Sequence, residues 1–273
     1  MPILHAIVLG ITQGLSEFLP ISSSGHLRLV PWLFDWDDFA GQESLEKTFD
    51  VALHIGTLVG AVAYFRADVV RYVRAGFRRG ALSTHDGKIA WLIALSTIPA
   101  AVTGAVLSDP IEERTGHIWL IATMLIAFGL VLAWADRRPG TRTVEEVGVR
   151  DAVLMGIGQA VALQPGVSRS GVTMTAGRFA GLGRDGAARF AFLMSLPITF
   201  GAIVFKGVDV LGEGGIPDGF VAPFVWGIVA SGITGWFAVW GTLRLVRTRT
   251  FAPFVVYRIA VGIAVLLLYF SIK

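Results

Sequence analysis

The residues best suited to chemistry lie in a short polar stretch near the start of an otherwise apolar chain. Residues 10–26 read GITQGLSEFLPISSSGH and place an amide, a carboxylate, three consecutive hydroxyls and an imidazole close together. Gln13 and Glu17 are four positions apart, so a helix presents them on one face. A carboxylate in an apolar span needs a cation, a metal or a proton as its partner. His26 directly follows the serines, where a general base or a nucleophile would be placed. We therefore predict a functional site here.

A second stretch repeats the first. Residues 156–173 read GIGQAVALQPGVSRSGVT, and an offset of 146 positions, as from Ser22 to Ser168, aligns the two without a gap. The matching positions are Gly10, Ile11, Gln13, Ser22, Ser24 and Gly25 with Gly156, Ile157, Gln159, Ser168, Ser170 and Gly171. The prolines, Pro20 and Pro165, miss by one residue. Two broken polar segments at corresponding positions of two halves indicate a site shared between repeats.

The second stretch adds a guanidinium group. Arg169 lies between two serines, with Gly166 and Gly171 on either side. Such an arginine, together with serine hydroxyls and amides freed by glycine, forms a cradle for phosphate. In the first stretch, hydroxyls and free backbone N–H groups after Pro20 also suit an anion if a new helix begins there. The predicted substrate-binding residues are Gln13, Ser22, Ser24, Gly25, Gly166, Ser168, Ser170 and Thr173.

Composition sets the class of protein. Of 273 residues, 54% are apolar and only 16% are charged, against about a quarter charged in soluble domains. The chain has no cysteine, which excludes disulfides and thiolate chemistry. Its net charge of +3 comes from basic residues in short loops, where membrane orientation explains them better than nucleic acid does. We expect one polytopic membrane domain over residues 1–273 that binds no nucleic acid.

Apolar runs of about 20 residues predict six membrane helices. They cover residues 49–65, 89–107, 117–135, 188–208, 220–243 and 251–272. Connections rich in arginine are expected in the cytoplasm, and acidic ones outside. The basic connections are 66–88, 136–150 and 244–250, and the acidic ones are 31–48, 108–116 and 209–219.

This alternation of charge determines on which side of the membrane the two polar stretches begin and end. Residues 151–187 must begin and end inside, so we predict a re-entrant helical hairpin broken around residues 165–166. Residues 1–30 then form the matching hairpin from the outer face. The predicted fold is all-α, with six transmembrane helices and two re-entrant hairpins arranged as an inverted repeat of halves 1–135 and 151–273. Irregular backbone at this depth must be covered by protein or line a wet cavity, so the two tips should meet around one polar cavity.

An anion cradle at membrane depth indicates a substrate that carries phosphate on a lipid. Two functions remain open on these residues, an enzyme that cleaves a lipid phosphate and a transporter or flippase that moves a lipid phosphate or another anion. The inverted repeat fits both.

The two stretches closely resemble the signature motifs of the undecaprenyl-diphosphate phosphatase family, the bacitracin-resistance proteins. QGLSEFLPISSSGH and PGVSRSGVT carry the resemblance, and FDVALHIGTL extends it after the first acidic loop. It implies an enzyme that removes the terminal phosphate of undecaprenyl diphosphate outside the bacterial cytoplasmic (inner) membrane. The reaction recycles the lipid carrier for peptidoglycan and confers resistance to bacitracin. It also implies a divalent cation, Mg²⁺ or Ca²⁺.

Matched position by position, the resemblance gives Glu17, Ser23, His26 and Arg169 catalytic roles and makes Glu17 the expected metal ligand. Ser23 attacks phosphorus with His26 as its base; attack by His26 or by water fits the same residues. Gln13 stands where glutamate is commoner in the family, and His54 stands in place of glutamine, with its role open. The sequence leaves the oligomeric state open, with a homodimer as the candidate.

A second class of membrane lipid phosphatases has S-G-H and S-R motifs, which residues 24–26 and 168–169 mimic. No His-x-x-x-Asp follows Arg169, so we exclude that class.

Overall fold

The structure is a computed structural model that describes residues 1–112, 117–212 and 216–272. Within these residues it is all-helical, and its only β-type pairing is one isolated bridge between Arg142 and Leu182. The helices are α1 (Ile3–Phe18), α2 (Ser23–Phe34), α3 (Glu43–Tyr64), α4 (Arg66–Gly76), α5 (His85–Glu112), α6 (Ile118–Asp136), α7 (Val149–Val161), α8 (Arg169–Phe179), α9 (Arg184–Gly212), α10 (Val221–Thr248) and α11 (Ala252–Ile272). The predicted all-α class is confirmed.

Five helices, α5, α6, α9, α10 and α11, are long and apolar enough to cross a membrane. A sixth candidate is the pair α3 and α4, which meet at an angle of 85°. Each of the six predicted spans lies on one of these helices to within one residue. Most of the helices continue further than the apolar runs, because polar residues at a membrane surface prolong a helix without raising its hydropathy. For this reason the acidic connection expected at 31–48 is much shorter, since α2 ends at Phe34 and α3 begins at Glu43.

Helix α4 lies within the basic connection predicted at 66–88, where the hydropathy pattern gave no sign of a helix. Its residue Tyr72 is buried, whereas Arg71 and Arg74 are exposed. One-sided burial is the signature of an amphipathic helix, which apolar-run analysis does not detect. The 85° bend at Phe65 separates this helix from α3.

The second polar stretch forms a helical hairpin. α7 and α8 flank a break at residues 162–168, and Gly158 of α7 packs against Val172 and Ala176 of α8. Arg142 connects both ends of this hairpin, because its guanidinium binds Asp151 in the first turn of α7 and the Ala180 carbonyl after α8. The two ends of the hairpin therefore lie on the same side of the molecule, as predicted.

The first polar stretch also forms a hairpin, with α1 and α2 flanking a break at residues 19–22. His5 near the start of α1 stacks on Trp36 just after α2, and its Nδ1 lies 2.9 Å from a carboxylate oxygen of Asp38. The entry and exit of this hairpin are thus adjacent too.

Each hairpin packs its first helix against a span from the other half. A side-chain carbon at Gly10 of α1 would lie 2.5 Å from the Gly227 carbonyl oxygen of α10. One at Gly156 of α7 would lie 2.7 Å from the Ser96 carbonyl oxygen of α5. Only glycine allows helix backbones to approach this closely. Gly10 and Gly156 are matched in the sequence repeat, so the repeat extends to packing.

Parts of two predicted acidic connections fall outside the described residues. They are 113–116, within the connection 108–116, and 213–215, within the connection 209–219. The prediction that these acidic connections face the outside stays a prediction.

Candidate active site

Both hairpins turn through the same unusual backbone conformation. Ser22 precedes α2 with φ 80° and ψ 97°, and Ser168 precedes α8 with φ 77° and ψ 110°. Each hydroxyl accepts a hydrogen bond from the N–H three residues later, at 3.3 Å from Gly25 and 3.1 Å from Gly171. A positive φ costs a residue other than glycine about 1–3 kcal/mol, so the surrounding structure must hold both turns. The predicted match of the two stretches is confirmed at the level of the backbone.

Glu17 is the centre of the contacts between the two hairpins. It lies at the end of α1 and is 5% exposed. The Arg169 guanidinium donates to Oε1, while Oε2 accepts from Ser23 Oγ at 2.6 Å and from Gln13 Nε2 at 3.1 Å. A buried carboxylate is stable only when its charge and lone pairs are met in this way. The structure therefore brings together three of the four predicted catalytic residues, from both stretches.

Arg169 is held from several sides but is not enclosed. Its second terminal nitrogen donates to Thr199 Oγ1 of α9 at 2.7 Å, a contact that sequence analysis missed. Thr173 Oγ1 donates to the Arg169 carbonyl at 2.7 Å, and Ser170 Oγ donates to the Leu19 carbonyl of the first hairpin at 2.9 Å. The Arg169 side chain nevertheless remains 23% exposed. The guanidinium is thus fixed in place with part of its surface free for an anion.

The hydroxyls of the predicted catalytic and substrate-binding residues fall into two groups. Those of Ser22, Ser168, Ser170 and Thr173 are buried and have partners within the protein, mostly backbone. Those of Ser23, which is half-buried, and Ser24, which is exposed, are accessible. The first group shapes the two turns, and contact of any of these residues with substrate stays a prediction.

His26 lies beside Ser22 rather than Ser23. Its Nδ1 is 2.7 Å from the Ser22 carbonyl oxygen, which can only accept, so Nδ1 carries a proton. The other ring nitrogen then accepts from the Tyr257 hydroxyl of α11 at 2.8 Å. Ser23 instead donates to Glu17. The base closest to the Ser23 hydroxyl is therefore Glu17, which differs from the expected pairing with His26.

His54 of α3 faces the same carboxylate. Its Nδ1 lies 2.7 Å from the Asp50 carbonyl oxygen, which leaves Nε2 facing Glu17 Oε2 at 3.7 Å. The sequence left this residue open, and the structure places it at the site.

A divalent cation finds a partial set of ligands here. Among the described residues, no group of three His, Cys, Asp or Glu side chains could hold a metal ion. Gln13 Nε2 faces Glu17, and its Oε1 is buried with no hydrogen-bond partner within the described part of the chain. Mg²⁺ is commonly held by one or two carboxylates together with substrate phosphates. Gln13 Oε1 and the Glu17 carboxylate are the oxygens that these residues could offer to a cation held mainly by a diphosphate, and a divalent cation here stays a prediction.

Arg258 of α11 joins the two hairpin turns, and sequence analysis missed it. Its side chain is fully buried, and no acidic partner occurs among the described residues. Its guanidinium donates to backbone carbonyls of Pro20 (3.1 Å), Met124 (3.4 Å), Leu125 (3.0 Å), Gly166 (3.1 Å) and Val167 (2.9 Å). The sequence feature that could have identified Arg258 is its place in the middle of the predicted span 251–272, because ionisable residues at that depth are usually functional.

This arrangement suits phosphoryl transfer. It offers a hydroxyl with a carboxylate as proton acceptor, the partly exposed guanidinium of Arg169, and the first turns of two helices, which favour anions. Such transfers depend chiefly on positioning and on neutralising negative charge.

Known proteins support this interpretation. The family model described as bacitracin resistance protein BacA matches residues 6–264. Curated relatives named undecaprenyl-diphosphatase include one from Geobacter sulfurreducens, 47% identical over 99% of this chain and 100% of that protein. Another, from Pelotomaculum thermopropionicum, is 44% identical over 98% of this chain and 97% of its own length. A third, from Nocardioides sp., is 43% identical over 97% of this chain and 96% of that protein.

The family model matches nearly the whole chain, the relatives align with it over nearly their full length, and both signature motifs meet at one site. The chain therefore belongs to the bacitracin resistance protein BacA family.

Proposed function

We propose that the chain is an integral membrane phosphatase that hydrolyses undecaprenyl diphosphate to undecaprenyl phosphate and inorganic phosphate. The observation that carries the proposal is the contact of Glu17 with both Ser23 and Arg169 at the meeting point of the two hairpins. A protein of this family thus has a hydroxyl, a base and an anion clamp at one point. The reaction returns the lipid carrier to peptidoglycan synthesis and confers bacitracin resistance.

The proposed topology has six crossings and two re-entrant hairpins, with the two halves as inverted copies within one domain. Matched turns at Ser22 and Ser168 and matched packing at Gly10 and Gly156 support it. The basic connections place the end of the molecule near Arg142 in the cytoplasm. The first hairpin then enters from outside the cytoplasmic membrane, and the site opens to that side.

In the proposed mechanism, Ser23 Oγ attacks the terminal phosphorus and its proton passes to Glu17. The new Oγ–P bond forms as the bond to the bridging oxygen breaks, and undecaprenyl phosphate leaves. Water then attacks the phosphorus, the Oγ–P bond breaks as inorganic phosphate leaves, and Ser23 Oγ recovers its proton from Glu17. Arg169 holds the terminal phosphate throughout, and Tyr257 keeps His26 in one orientation beside the first turn of α2.

A divalent cation, Mg²⁺ or Ca²⁺, belongs to this proposal. Gln13 Oε1 and Glu17 Oε2 would hold it, with His54 Nε2 near the same carboxylate. When bound, it would neutralise negative charge on the diphosphate. We do not favour a lipid or anion transporter, because Arg258 and the Glu17–Arg169 pair tie together the two tips that alternating access would separate.

Phosphate release from undecaprenyl diphosphate by the purified protein in detergent tests this function. We expect release that EDTA abolishes and that Mg²⁺ or Ca²⁺ restores. If EDTA left the release unchanged, the requirement for a divalent cation would be contradicted, but the phosphatase activity would not. A folded protein that releases no phosphate with any divalent metal would overturn the phosphatase itself.

Replacing Ser23 with alanine tests the nucleophile. We expect a loss of at least about 100-fold in kcat, a size typical of a group acting directly in the reaction. Ser83→Ala is the control, because Ser83 is exposed in the connection between α4 and α5 and its hydroxyl donates only to the Gly80 carbonyl; it should retain activity within about threefold. Acid quenching should trap phosphoserine in the wild type. Near-normal turnover by Ser23→Ala would instead support direct attack by water, or attack by His26 if phosphohistidine is trapped.

Replacing Arg169 with lysine should lower kcat/KM by about 30-fold, because a point charge cannot bind Glu17, Thr199 and a phosphate oxygen together. Steady-state kinetics on undecaprenyl diphosphate measure the loss. Arg150→Lys, at an exposed position, is the control and should be unchanged. A full-activity Arg169→Lys enzyme would show that the planar fork is unnecessary.

A further inference from the structure

The proposed reaction needs two proton acceptors, and Glu17 can serve as only one of them. In the first step Glu17 takes the Ser23 proton, and in the second step it returns that proton to Ser23 Oγ. A carboxylic acid that gives its proton to the leaving oxygen cannot at the same time take one from the attacking water. The water therefore needs a base of its own.

His54 on α3 has an acceptor nitrogen beside the reacting groups. Its Nδ1 lies 2.7 Å from the Asp50 carbonyl oxygen, which can only accept, so Nδ1 carries the proton of the neutral ring. Nε2 then has a lone pair and lies 3.7 Å from Glu17 Oε2. That same oxygen accepts from Ser23 Oγ at 2.6 Å. The open imidazole nitrogen and the Ser23 hydroxyl therefore flank one carboxylate oxygen.

The space next to His54 Nε2 suits a water molecule. A separation of 3.7 Å is too long for a hydrogen bond, and Nε2 has no hydrogen-bond partner within the described part of the chain. Polar atoms this far apart are commonly joined through water. The His54 side chain is also 33% exposed, whereas that of Glu17 is 3% exposed. Water can therefore reach the ring, and the ring can pass a proton on to solvent.

His26, the other imidazole near Ser23, is not free for this role. Its Nδ1 lies 2.7 Å from the Ser22 carbonyl oxygen, and its Nε2 lies 2.8 Å from the Tyr257 hydroxyl. Both ring nitrogens are thus occupied. Gln13, which also contacts Glu17, carries an amide and cannot take a proton.

We propose that His54 is the general base of the second step. Nε2 takes a proton from water as the water oxygen bonds to the phosphorus of the phosphoserine. The electrons of the breaking Oγ–P bond go to Ser23 Oγ, which receives the Glu17 proton. His54 then releases the proton from water to solvent. This role rests on the proposed phosphatase function, and it assigns a different base to each step.

His54→Gln tests this role. Glutamine is the residue that the family resemblance predicts here, so the fold should tolerate it, but an amide cannot take a proton from water. We expect the first step to keep its rate and the second to slow by about 100-fold. Rapid mixing with undecaprenyl diphosphate should then release one undecaprenyl phosphate per enzyme in a burst, with inorganic phosphate following slowly. Acid quenching during turnover should trap most of the enzyme as phosphoserine.

Two further variants complete the experiment. His85→Gln is the matched control, because His85 is exposed at the start of α5, and it should behave as the wild type. His54→Ala leaves space for an external base at a position that water reaches. Added imidazole should speed the decay of its phosphoserine by at least about tenfold and should leave the His85→Gln enzyme unchanged.

Three results would overturn the role of His54. One is His54→Gln turnover within about threefold of the wild type. Another is a slow His54→Gln enzyme that shows no burst, since His54 would then act before the phosphoserine forms. The third is full recovery of His54→Gln at higher Mg²⁺, which would make His54 a ligand of the cation. In each case phosphate release by the wild type would leave the phosphatase function intact, whereas a wild type that releases no phosphate would overturn both.

Discussion

Replacing Glu17 with glutamine is expected to lower kcat/KM for undecaprenyl diphosphate by about 10³-fold, within the range measured for loss of a general base. Glutamine has nearly the same shape but cannot take the Ser23 proton. The change also leaves the Arg169 guanidinium without its buried counter-charge. The contacts that position the substrate and those that activate the hydroxyl are therefore lost together.

Phosphate release under saturating Mg²⁺ measures this effect, with thermal unfolding in detergent to confirm folding. Glu43→Gln is the matched control, because Glu43 is an exposed acid in the first turn of α3. We expect it to match the wild type. A Glu17→Gln enzyme within tenfold of the wild type would exclude Glu17 as the base and return that role to His26.

Much of this fold was predictable because membrane helices must be both apolar and long. All six predicted spans lie on helices, and each polar stretch forms a helical hairpin. Helix α4 was missed because its pattern is one-sided rather than apolar throughout. The ends of α2 and α3 were misjudged because hydropathy does not report where a helix continues into water.

The site was predictable only in part. Sequence analysis selected Glu17, Ser23, His26 and Arg169 because they lie within two motifs, and the structure brings Glu17, Ser23 and Arg169 into contact. Sequence analysis could not find Thr199, which appears in the chain as an ordinary small polar residue of an apolar span. The structure shows that it supports the site from α9. Nor could spacing alone show that Ser23 faces Glu17 instead of His26.

The two hairpins share a backbone but differ in chemistry. Leu163 occupies the position that matches Glu17, and Arg169 occupies the position that matches Ser23. The first hairpin therefore contributes the carboxylate and the hydroxyl, whereas the second contributes the cation. The repeat creates one site rather than two because each tip lacks what the other provides.

Arg258 is where we expect the second large effect. Its five donations reach both tips and α6, and a lysine ammonium has only three protons to donate. Carbonyls left without a partner in a buried position are costly, so Arg258→Lys should destabilise the protein by about 3 kcal/mol. It should also lower kcat by about 100-fold, because displacement of either tip by about 1 Å is enough for such a loss.

The measurement compares kcat, KM and thermal unfolding for Arg258→Lys with those for Arg249→Lys, an exposed arginine that precedes α11. Arg258 does not reach the substrate in this mechanism, so kcat should fall much more than KM changes once the folded fraction is taken into account. If lower stability were the only role of Arg258, the folded fraction of the variant would turn over normally at low temperature. That result would make the tips independent of their shared arginine. The Glu17–Arg169 ion pair and the hydrogen bond from Ser170 to the Leu19 carbonyl would then have to hold the tips together.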